Sequence, residues 1–252
     1  MSLSRWNGKV AIVTGVSAGI GKAIAEAFVK QGIIVAGIAR RCERVEKHAK
    51  LLRGEKGKLY PFKCDLLKES DILAAFQKII ETLGPIFILV NNAGVGLDTE
   101  LIDGDTEKWR QGFDTNVMAL NICTREAIRN MRANNTKGHI IHINSALGHM
   151  YVDSEGLSVY PATKFAVTAL TECLRREINR SKLPIKLTSI SPGYVKTEFF
   201  VYGYSPERAS QFTDGRPGLE PKDVADAVLY ALSTPEHVNV HELIFMLHGQ
   251  LY

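Results

Sequence analysis

The chain has 252 residues, of which 45% are hydrophobic and 23% charged, a composition typical of a soluble globular protein with ample material for a core. Its 31 basic and 27 acidic residues give a net charge of +4 without a run of five like charges, which argues against a nucleic acid as partner. No apolar stretch reaches the ~18 residues needed to cross a bilayer.

Four widely spaced cysteines form no Cys-x-x-Cys pair, so neither a metal site nor a redox motif is indicated. We expect reduced, mostly buried thiols. The residues before Val10 lack the basic region and long apolar run of a secretory signal. These features predict a cytoplasmic protein without a structural metal.

The first 40 residues predict a β-α-β unit. Residues 9–14 form a short run rich in β-branched side chains that ends at Gly15, which predicts a strand. Apolar residues then recur at helical spacing over residues 20–31. Residues 33–39 form a near-continuous apolar run, as expected for a strand that is buried on both faces.

The alternation continues to the end of the chain. Further helices are predicted over residues 42–52, 69–83, 106–134 with a break near Asp114, 158–180 and 221–233. Further strands are predicted over residues 58–64, 86–91, 139–145, 186–191 and 242–247. Pro61 places its strand at a sheet edge, because proline cannot donate to a ladder.

Such alternation predicts an α/β fold: a single-domain, Rossmann-type, doubly wound parallel sheet of about seven strands with helices on both faces. We see no linker or internal repeat, so one domain over residues 1–252 is favoured.

The first predicted strand leads through a glycine-rich turn directly into a helix. In this context the glycines permit a tight turn, close approach of backbone amides to phosphates, and close packing of helix on strand. The helix N-terminus adds orphan N–H groups for a diphosphate. The alternative is a tight βα turn without a ligand. The expected cofactor-binding residues of this turn are Gly15, Ser17, Ala18, Gly19, Ile20 and Gly21.

The end of the second strand favours NADP(H) over NAD(H). An NAD site usually has an acidic residue at this point to hold the ribose hydroxyls. Here Arg40 and Arg41 follow Ala39 instead, and a guanidinium pairs well with a 2′-phosphate. The alternative is a solvated basic loop.

Tyr160 and Lys164 lie four residues apart in a predicted helix, so both side chains project from one face. Ser145 lies upstream at the end of a predicted strand. Tyrosine, lysine and serine are the groups needed to move a proton on and off an alcohol oxygen. A nearby ammonium is expected to lower the pKa of Tyr160 below its ordinary ~10. The alternative is an amphipathic helix with a snorkelling lysine.

Taken together, these motifs resemble the short-chain dehydrogenase/reductase family, in its single-domain branch. The resemblance covers almost the whole chain. Its motifs, in order, are Thr14 to Gly21, Asp65, Asn91 to Gly94, Asn116, Ser145, Tyr160 with Lys164, and Pro192-Gly193 with Thr197. It implies an NADP(H)-dependent oxidoreductase that interconverts an alcohol and a carbonyl by hydride transfer, with tyrosine as acid and base.

The resemblance also implies individual roles. Ser145 would stabilise charge on the substrate oxygen, Lys164 would bind the nicotinamide ribose, and Asn116 would hold a water that links Lys164 to solvent. The remaining implied cofactor contacts are Asp65 and Leu66 near the adenine, Asn92, Ala93 and Gly94 along the adenosine, and Pro192, Gly193, Val195 and Thr197 around the nicotinamide. A homodimer or homotetramer is expected, formed through the helices that begin near Asn116 and Ser158.

Residues 197–217 are predicted to form a lid over an apolar substrate such as an isoprenoid, a steroid or an aliphatic aldehyde or ketone, because they are rich in aromatic residues. The alternative is that these aromatics pack against the protein or form an oligomer contact. An NADP-binding sensor without turnover is the alternative function.

Two features depart from the family pattern. The interval from Ser145 to Tyr160 is about two residues longer than usual, which is expected to alter the pocket wall through residues 150–157. Pro161 directly follows Tyr160 and would kink the helix if it began well before Ser158.

Overall fold

The computed structural model describes residues 2–249. Within them, seven strands form one sheet. They are β1 Val10–Thr14, β2 Ile34–Ala39, β3 Lys58–Lys63, β4 Ile86–Asn91, β5 Gly138–Ile143, β6 Ile185–Pro192 and β7 Glu242–Phe245. All adjacent pairs are parallel and follow the order β3-β2-β1-β4-β5-β6-β7. The predicted doubly wound fold is therefore confirmed.

Eight α-helices connect these strands within the described part of the chain. They are α1 Gly19–Lys30, α2 Cys42–Leu51, α3 Glu69–Leu83, α4 Thr106–Phe113, α5 Ala119–Ala133, α6 Val159–Arg180, α7 Pro206–Thr213 and α8 Pro221–Ser233. A π-helical turn, Asp114–Met118, separates α4 from α5, so the break predicted near Asp114 is confirmed.

The core lies in two layers, one on each face of the sheet. Successive strand side chains point to opposite faces, so Ala11 and Val13 contribute to one layer and Val10 and Ile12 to the other. Helices α1 and α8 cover the first layer, whereas α3, α5 and the end of α6 cover the second. Burial on both faces explains why the central strands are almost wholly apolar.

The chain builds the sheet outwards from β1 to β3, returns to the middle at β4 and then builds outwards to β7. The connections on the two sides of this reversal diverge, which opens a crevice at the carboxyl ends of β1 and β4. Every predicted motif residue that follows β1, β2, β4 or β5 is thereby brought to one edge of the sheet.

Both proline-based predictions can be compared with the structure. Pro61 lies in β3, an edge strand of the sheet, as predicted. Helix α6 begins at Val159, so Pro161 falls in its first turn, where a missing N–H costs no intrahelical hydrogen bond. Pro161 therefore does not kink α6 next to Tyr160.

The segment before β1 is fixed to the end of α8. Trp6 is 4% exposed and its indole Nε1 donates to the carbonyl of Leu232 at 2.9 Å, while the Arg5 guanidinium donates to the same oxygen at 2.6 Å. These donors satisfy a carbonyl of the last helical turn, which has no intrahelical partner.

No helix in residues 2–249 has the length and apolarity required to span a membrane.

Candidate active site

Two adjoining cavities open at the carboxyl edge of the sheet. The larger has a volume of about 410 Å³. Most of the predicted cofactor-binding residues line it: Gly15, Ser17, Ala18, Gly19, Ile20, Arg40, Arg41, Asp65, Leu66, Asn92, Ala93, Gly94, Tyr160, Lys164 and Thr197. The fold thus brings together predicted residues that follow five different strands, β1, β2, β3, β4 and β6.

The glycine-rich turn has a backbone that other residues adopt poorly. Gly15 and Gly19 have φ angles of +73° and +55°, in the left-handed region that favours glycine. A Cβ on Gly21 would lie 2.4 Å from Asn92 Nδ2 and 2.5 Å from the carbonyl oxygen of Gly15. The N-cap of α1 is Ala18, which has no side-chain acceptor, so the first N–H groups of the helix remain available for an anion.

Thr14 and Asn92 hold the turn against the end of β4. Thr14 Oγ1 accepts hydrogen bonds from the backbone N–H groups of Asn92 and Ala93, both at 3.0 Å. Asn92 Nδ2 donates to the carbonyl oxygen of Thr14 at 2.8 Å. The two loops that flank the crevice are therefore one rigid unit.

The smaller cavity has a volume of about 180 Å³ and a mainly apolar lining. Five aromatic residues line it. Phe199, Phe200 and Phe212 come from the predicted lid, whereas Tyr160 and Tyr194 lie outside it. Ser145 and three residues predicted to contact the cofactor, Pro192, Gly193 and Val195, line this cavity and not the larger one. Gly21 and Asn116 line neither.

Tyr160 lines both cavities. Lys164 Nζ lies 5.6 Å from the centre of the Tyr160 ring and donates to the carbonyl oxygen of Ile143 at 3.0 Å. Phe199 of the lid packs edge-on against the Tyr160 ring with 5.2 Å between centroids. The tyrosine is thus held between a buried ammonium and the lid.

Burial controls the protonation of this pair. It raises the pKa of Tyr160 to about 12, while a hydrogen bond with Ser145 acts in the opposite direction. It lowers the pKa of Lys164 to about 8. The expected lowering of the Tyr160 pKa is therefore wrong, because desolvation of the phenolate outweighs the hydrogen bond with Ser145. Tyr160 is a neutral phenol at pH 7.

Asn116 lies in the π-helical turn and is 2% exposed. Its Oδ1 accepts from the N–H of Val95 at 2.8 Å, and its Nδ2 donates to Val95 O at 2.9 Å and Thr163 Oγ1 at 3.0 Å. These bonds attach the loop after β4 to α6 one residue before Lys164. The expected water-holding role of Asn116 stays a prediction, since its side chain is bound to protein groups.

The predicted lid is a closed loop with its own small core. Backbone hydrogen bonds join its base, from Lys196 N to Leu219 O at 2.8 Å and from Leu219 N to Tyr194 O at 3.0 Å. The rings of Phe200 and Phe212 stack at 4.5 Å. Some of these aromatic residues therefore line the smaller cavity, as predicted for a lid. They also pack against one another, as the alternative interpretation predicted.

The long connection between Ser145 and Tyr160 forms part of the smaller cavity's wall through Met150, Val152, Ser154 and Leu157. Ser158 Oγ donates to Glu100 at 2.8 Å, and the Tyr204 hydroxyl donates to Gly156 O at 3.1 Å. This connection therefore shapes the wall of the smaller cavity, as predicted.

Sequence reasoning did not assign three residues to the cofactor site: Glu198 and Tyr202, which line the larger cavity, and Arg44, which contacts Glu198. Arg44 Nη1 lies 3.0 Å from Glu198 Oε2, and Arg41 stacks over the Tyr202 ring at 4.4 Å. Charge is the only sequence signal of Arg44 and Glu198, whereas Tyr202 is one of the aromatic residues of the predicted lid. Within residues 2–249, no group of three or more His, Cys, Asp or Glu side chains could hold a metal ion.

A doubly wound sheet with a crevice at its switch point, and a half-buried tyrosine with a buried lysine beside it, is typical of oxidoreductases. The chain belongs to the short-chain dehydrogenase family, whose pattern matches residues 9–205.

Relatives of the chain match nearly its whole length, and two serve as examples. Farnesol dehydrogenase of Aedes aegypti is 44% identical over 252 residues, covering 99% of this chain and 100% of that protein. Human dehydrogenase/reductase SDR family member 11 is 43% identical over 246 residues, covering 96% and 95%.

Solved structures share the fold. A closed form of serine dehydrogenase complexed with NADP⁺ has a TM-score of 0.84 at 31% identity and covers 96% of each chain. An alcohol dehydrogenase from the archaeon Thermococcus sibiricus, complexed with 5-hydroxy-NADP, has a TM-score of 0.84 at 26% identity, covering 97% of this chain and 98% of that one.

Proposed function

We propose that the protein is an NADP(H)-dependent oxidoreductase that interconverts an alcohol and a carbonyl on an apolar substrate, with Tyr160 as acid and base. The observation that carries the proposal is the position of Tyr160, which lines both the larger and the smaller cavity. A group at this junction can exchange a proton with a substrate whose reacting carbon faces a cofactor in the neighbouring cavity.

The larger cavity fits a phosphorylated dinucleotide. The left-handed glycines and open helix N-terminus suit a diphosphate, and Arg40 and Arg41 supply positive charge where β2 ends without an acid. Both solved structures named above were determined with an NADP-type ligand. When bound, the cofactor would supply or accept the hydride.

Reduction of a carbonyl leaves negative charge on its oxygen. Tyr160, whose pKa of about 12 keeps it protonated, would donate its proton to that oxygen, and Ser145 would donate a hydrogen bond to the same atom. In the reverse direction Tyr160 must lose its proton first. The Lys164 ammonium, protonated below about pH 8, would then stabilise the phenolate.

The apolar lining of the smaller cavity supports an isoprenoid, a steroid or an aliphatic aldehyde or ketone as substrate. The similarity to a farnesol dehydrogenase favours the isoprenoid class.

The four cysteines are free thiols, which supports the proposed cytoplasmic location. Exposed Met118 and Phe165, near the starts of α5 and α6, support a homodimer or homotetramer through these helices.

The test is a panel of alcohols and carbonyl compounds assayed with both cofactors. It should include farnesol-like alcohols and aldehydes, steroids, small diketones and a polyol as the polar control. We expect turnover of apolar members with NADPH or NADP⁺, and a lower kcat/KM with the non-phosphorylated cofactors. Equal kcat/KM with both cofactors would contradict the NADP assignment. Tight NADPH binding without any turnover would favour a sensor.

A further inference from the structure

The rim of the larger cavity contains a cluster of charges that belongs to two different parts of the chain. Arg41 and Arg44 lie at the start of α2, and Glu198 and Tyr202 lie in the lid. We call these four residues the rim cluster. Arg41, Glu198 and Tyr202 all line the larger cavity, so the cluster is part of that cavity and not a remote surface feature.

The contacts within the rim cluster are specific. Arg44 Nη1 donates to Glu198 Oε2 at 3.0 Å, and Arg41 Nη1 lies 3.8 Å from the same carboxylate oxygen. The Tyr202 hydroxyl donates to Glu198 and accepts from Arg41. Hydrogen bonds from Tyr202 and Arg44 hold the pKa of Glu198 below its ordinary value. Glu198 is therefore an anion that already pairs with the two guanidinium groups of the cluster, Arg41 and Arg44.

Arg41 also reaches the glycine-rich turn, because its Nη2 donates to Ser17 Oγ at 2.9 Å. The guanidinium thus lies between the phosphate-binding turn and the lid. Arg40, the other arginine at the end of β2, is exposed and has no ion pair among the described residues. A nucleotide with a 2′-phosphate would meet one free arginine and one that is shared with Glu198.

We propose that Glu198 determines how strongly the cavity discriminates for a 2′-phosphate, and that a 2′-phosphate loosens the lid by displacing Glu198 from Arg41. A doubly charged phosphate on Arg41 repels the Glu198 carboxylate, whereas a nucleotide without that phosphate leaves the cluster intact. Once Glu198 has left Arg41, Arg44 and Tyr202 are its remaining contacts, and of these two only Arg44 joins it to α2. The lid above the smaller cavity then has fewer contacts with α2 and moves more readily for substrate entry.

This inference rests on the proposed function only in that the larger cavity must bind adenine nucleotides. Turnover is not required, so binding can be measured without any substrate. The probes are adenosine 2′,5′-bisphosphate and adenosine 5′-monophosphate, which differ only in the 2′-phosphate. The variant is Glu198→Gln, which removes the charge and keeps the shape. Its matched control is Glu207→Gln, an acid of the same lid that has no ion pair among the described residues.

By calorimetry, we expect Glu198→Gln to bind the bisphosphate about fivefold more tightly than the unaltered protein, the scale of an exposed ion pair. Its affinity for the monophosphate and both affinities of Glu207→Gln should change less than twofold. By hydrogen exchange, the bisphosphate should speed exchange of lid amides 198–213 in the unaltered protein, while the monophosphate should not. In Glu198→Gln that exchange should already be fast without nucleotide.

Unchanged or weaker bisphosphate binding by Glu198→Gln would overturn the proposal, as would an equal gain for both probes or a lid that exchanges more slowly with bisphosphate. If neither probe bound to the protein, the cofactor assignment itself would fail. If NADPH supported turnover but Glu198→Gln bound both probes normally, only the role of Glu198 would be wrong.

Discussion

Replacement of Lys164 by methionine should make the protein more stable at pH 7 while it removes activity. Lys164 is 5% exposed, and burial lowers its pKa from 10.5 to about 8. At ~1.4 kcal/mol per pKa unit, holding the charged form in the folded protein costs about 3 kcal/mol at pH 7. The lost hydrogen bond to Ile143 O offsets about 2 kcal/mol of that relief. The expected net gain in the free energy of unfolding is about 1 kcal/mol.

The dependence on pH has a definite sign. Because the folded-state pKa is lowered, the unfolded chain binds more protons between pH 8 and 10.5, so the unaltered protein gains stability as the pH rises through that range. The advantage of Lys164→Met should therefore be largest at pH 7 and fall by about 2 kcal/mol by pH 9.5. Urea denaturation at both pH values measures it.

Lys78→Met is the matched control, since Lys78 is an exposed lysine of α3. It should change stability by less than ~0.5 kcal/mol at both pH values. A stability difference between Lys164→Met and the unaltered protein that is the same at pH 7 and pH 9.5 would refute the assignment of a desolvated ammonium at this position.

Three further substitutions test the rest of the site. Ser145→Ala should lower kcat about 100-fold with little change in the affinity for NADPH, because it removes a donor to the developing charge. Steady-state and binding assays check this, and a loss under fivefold would contradict the role. Gly21→Ala should weaken NADPH binding at least about tenfold, because its Cβ would lie 2.4 Å from Asn92 Nδ2. Gly112→Ala, whose Cβ meets nothing nearer than 3.8 Å, should bind normally. Arg40→Ala should weaken NADPH binding about tenfold and leave NADH binding unchanged, and equal losses for both would contradict a 2′-phosphate contact.

The doubly wound parallel sheet could be predicted because strand and helix patterns alternate along the chain. Strands such as β2 are buried along almost their whole length, which leaves a short apolar run typical of a parallel strand. The glycine-rich turn and the Tyr160–Lys164 spacing are equally local, so their positions followed from neighbouring residues. Helix α7 was not predicted, although it carries a local signal: Ser205 Oγ accepts from Arg208 N, and Pro206 occupies the first helical position.

Other features depend on the assembled fold and leave no local pattern. Arg44 and Glu198 are separated by 154 residues and meet only because the lid folds back to α2. Similarly, the pKa of Tyr160 depends on how much water the fold removes from its hydroxyl, which the spacing to Lys164 does not reveal. The bonds of Asn116 to Val95 and Thr163 also arise from tertiary packing.

The central claim is that Tyr160 transfers the proton at the junction of the two cavities. Its most direct test is Tyr160→Phe, assayed for NADPH affinity by fluorescence titration and for turnover with the best carbonyl substrate of the panel. We expect NADPH affinity within about threefold of the unaltered protein and a loss of kcat of about 10³-fold, within the range for positioned acid–base transfer. Retention of most of kcat in Tyr160→Phe would contradict the mechanism.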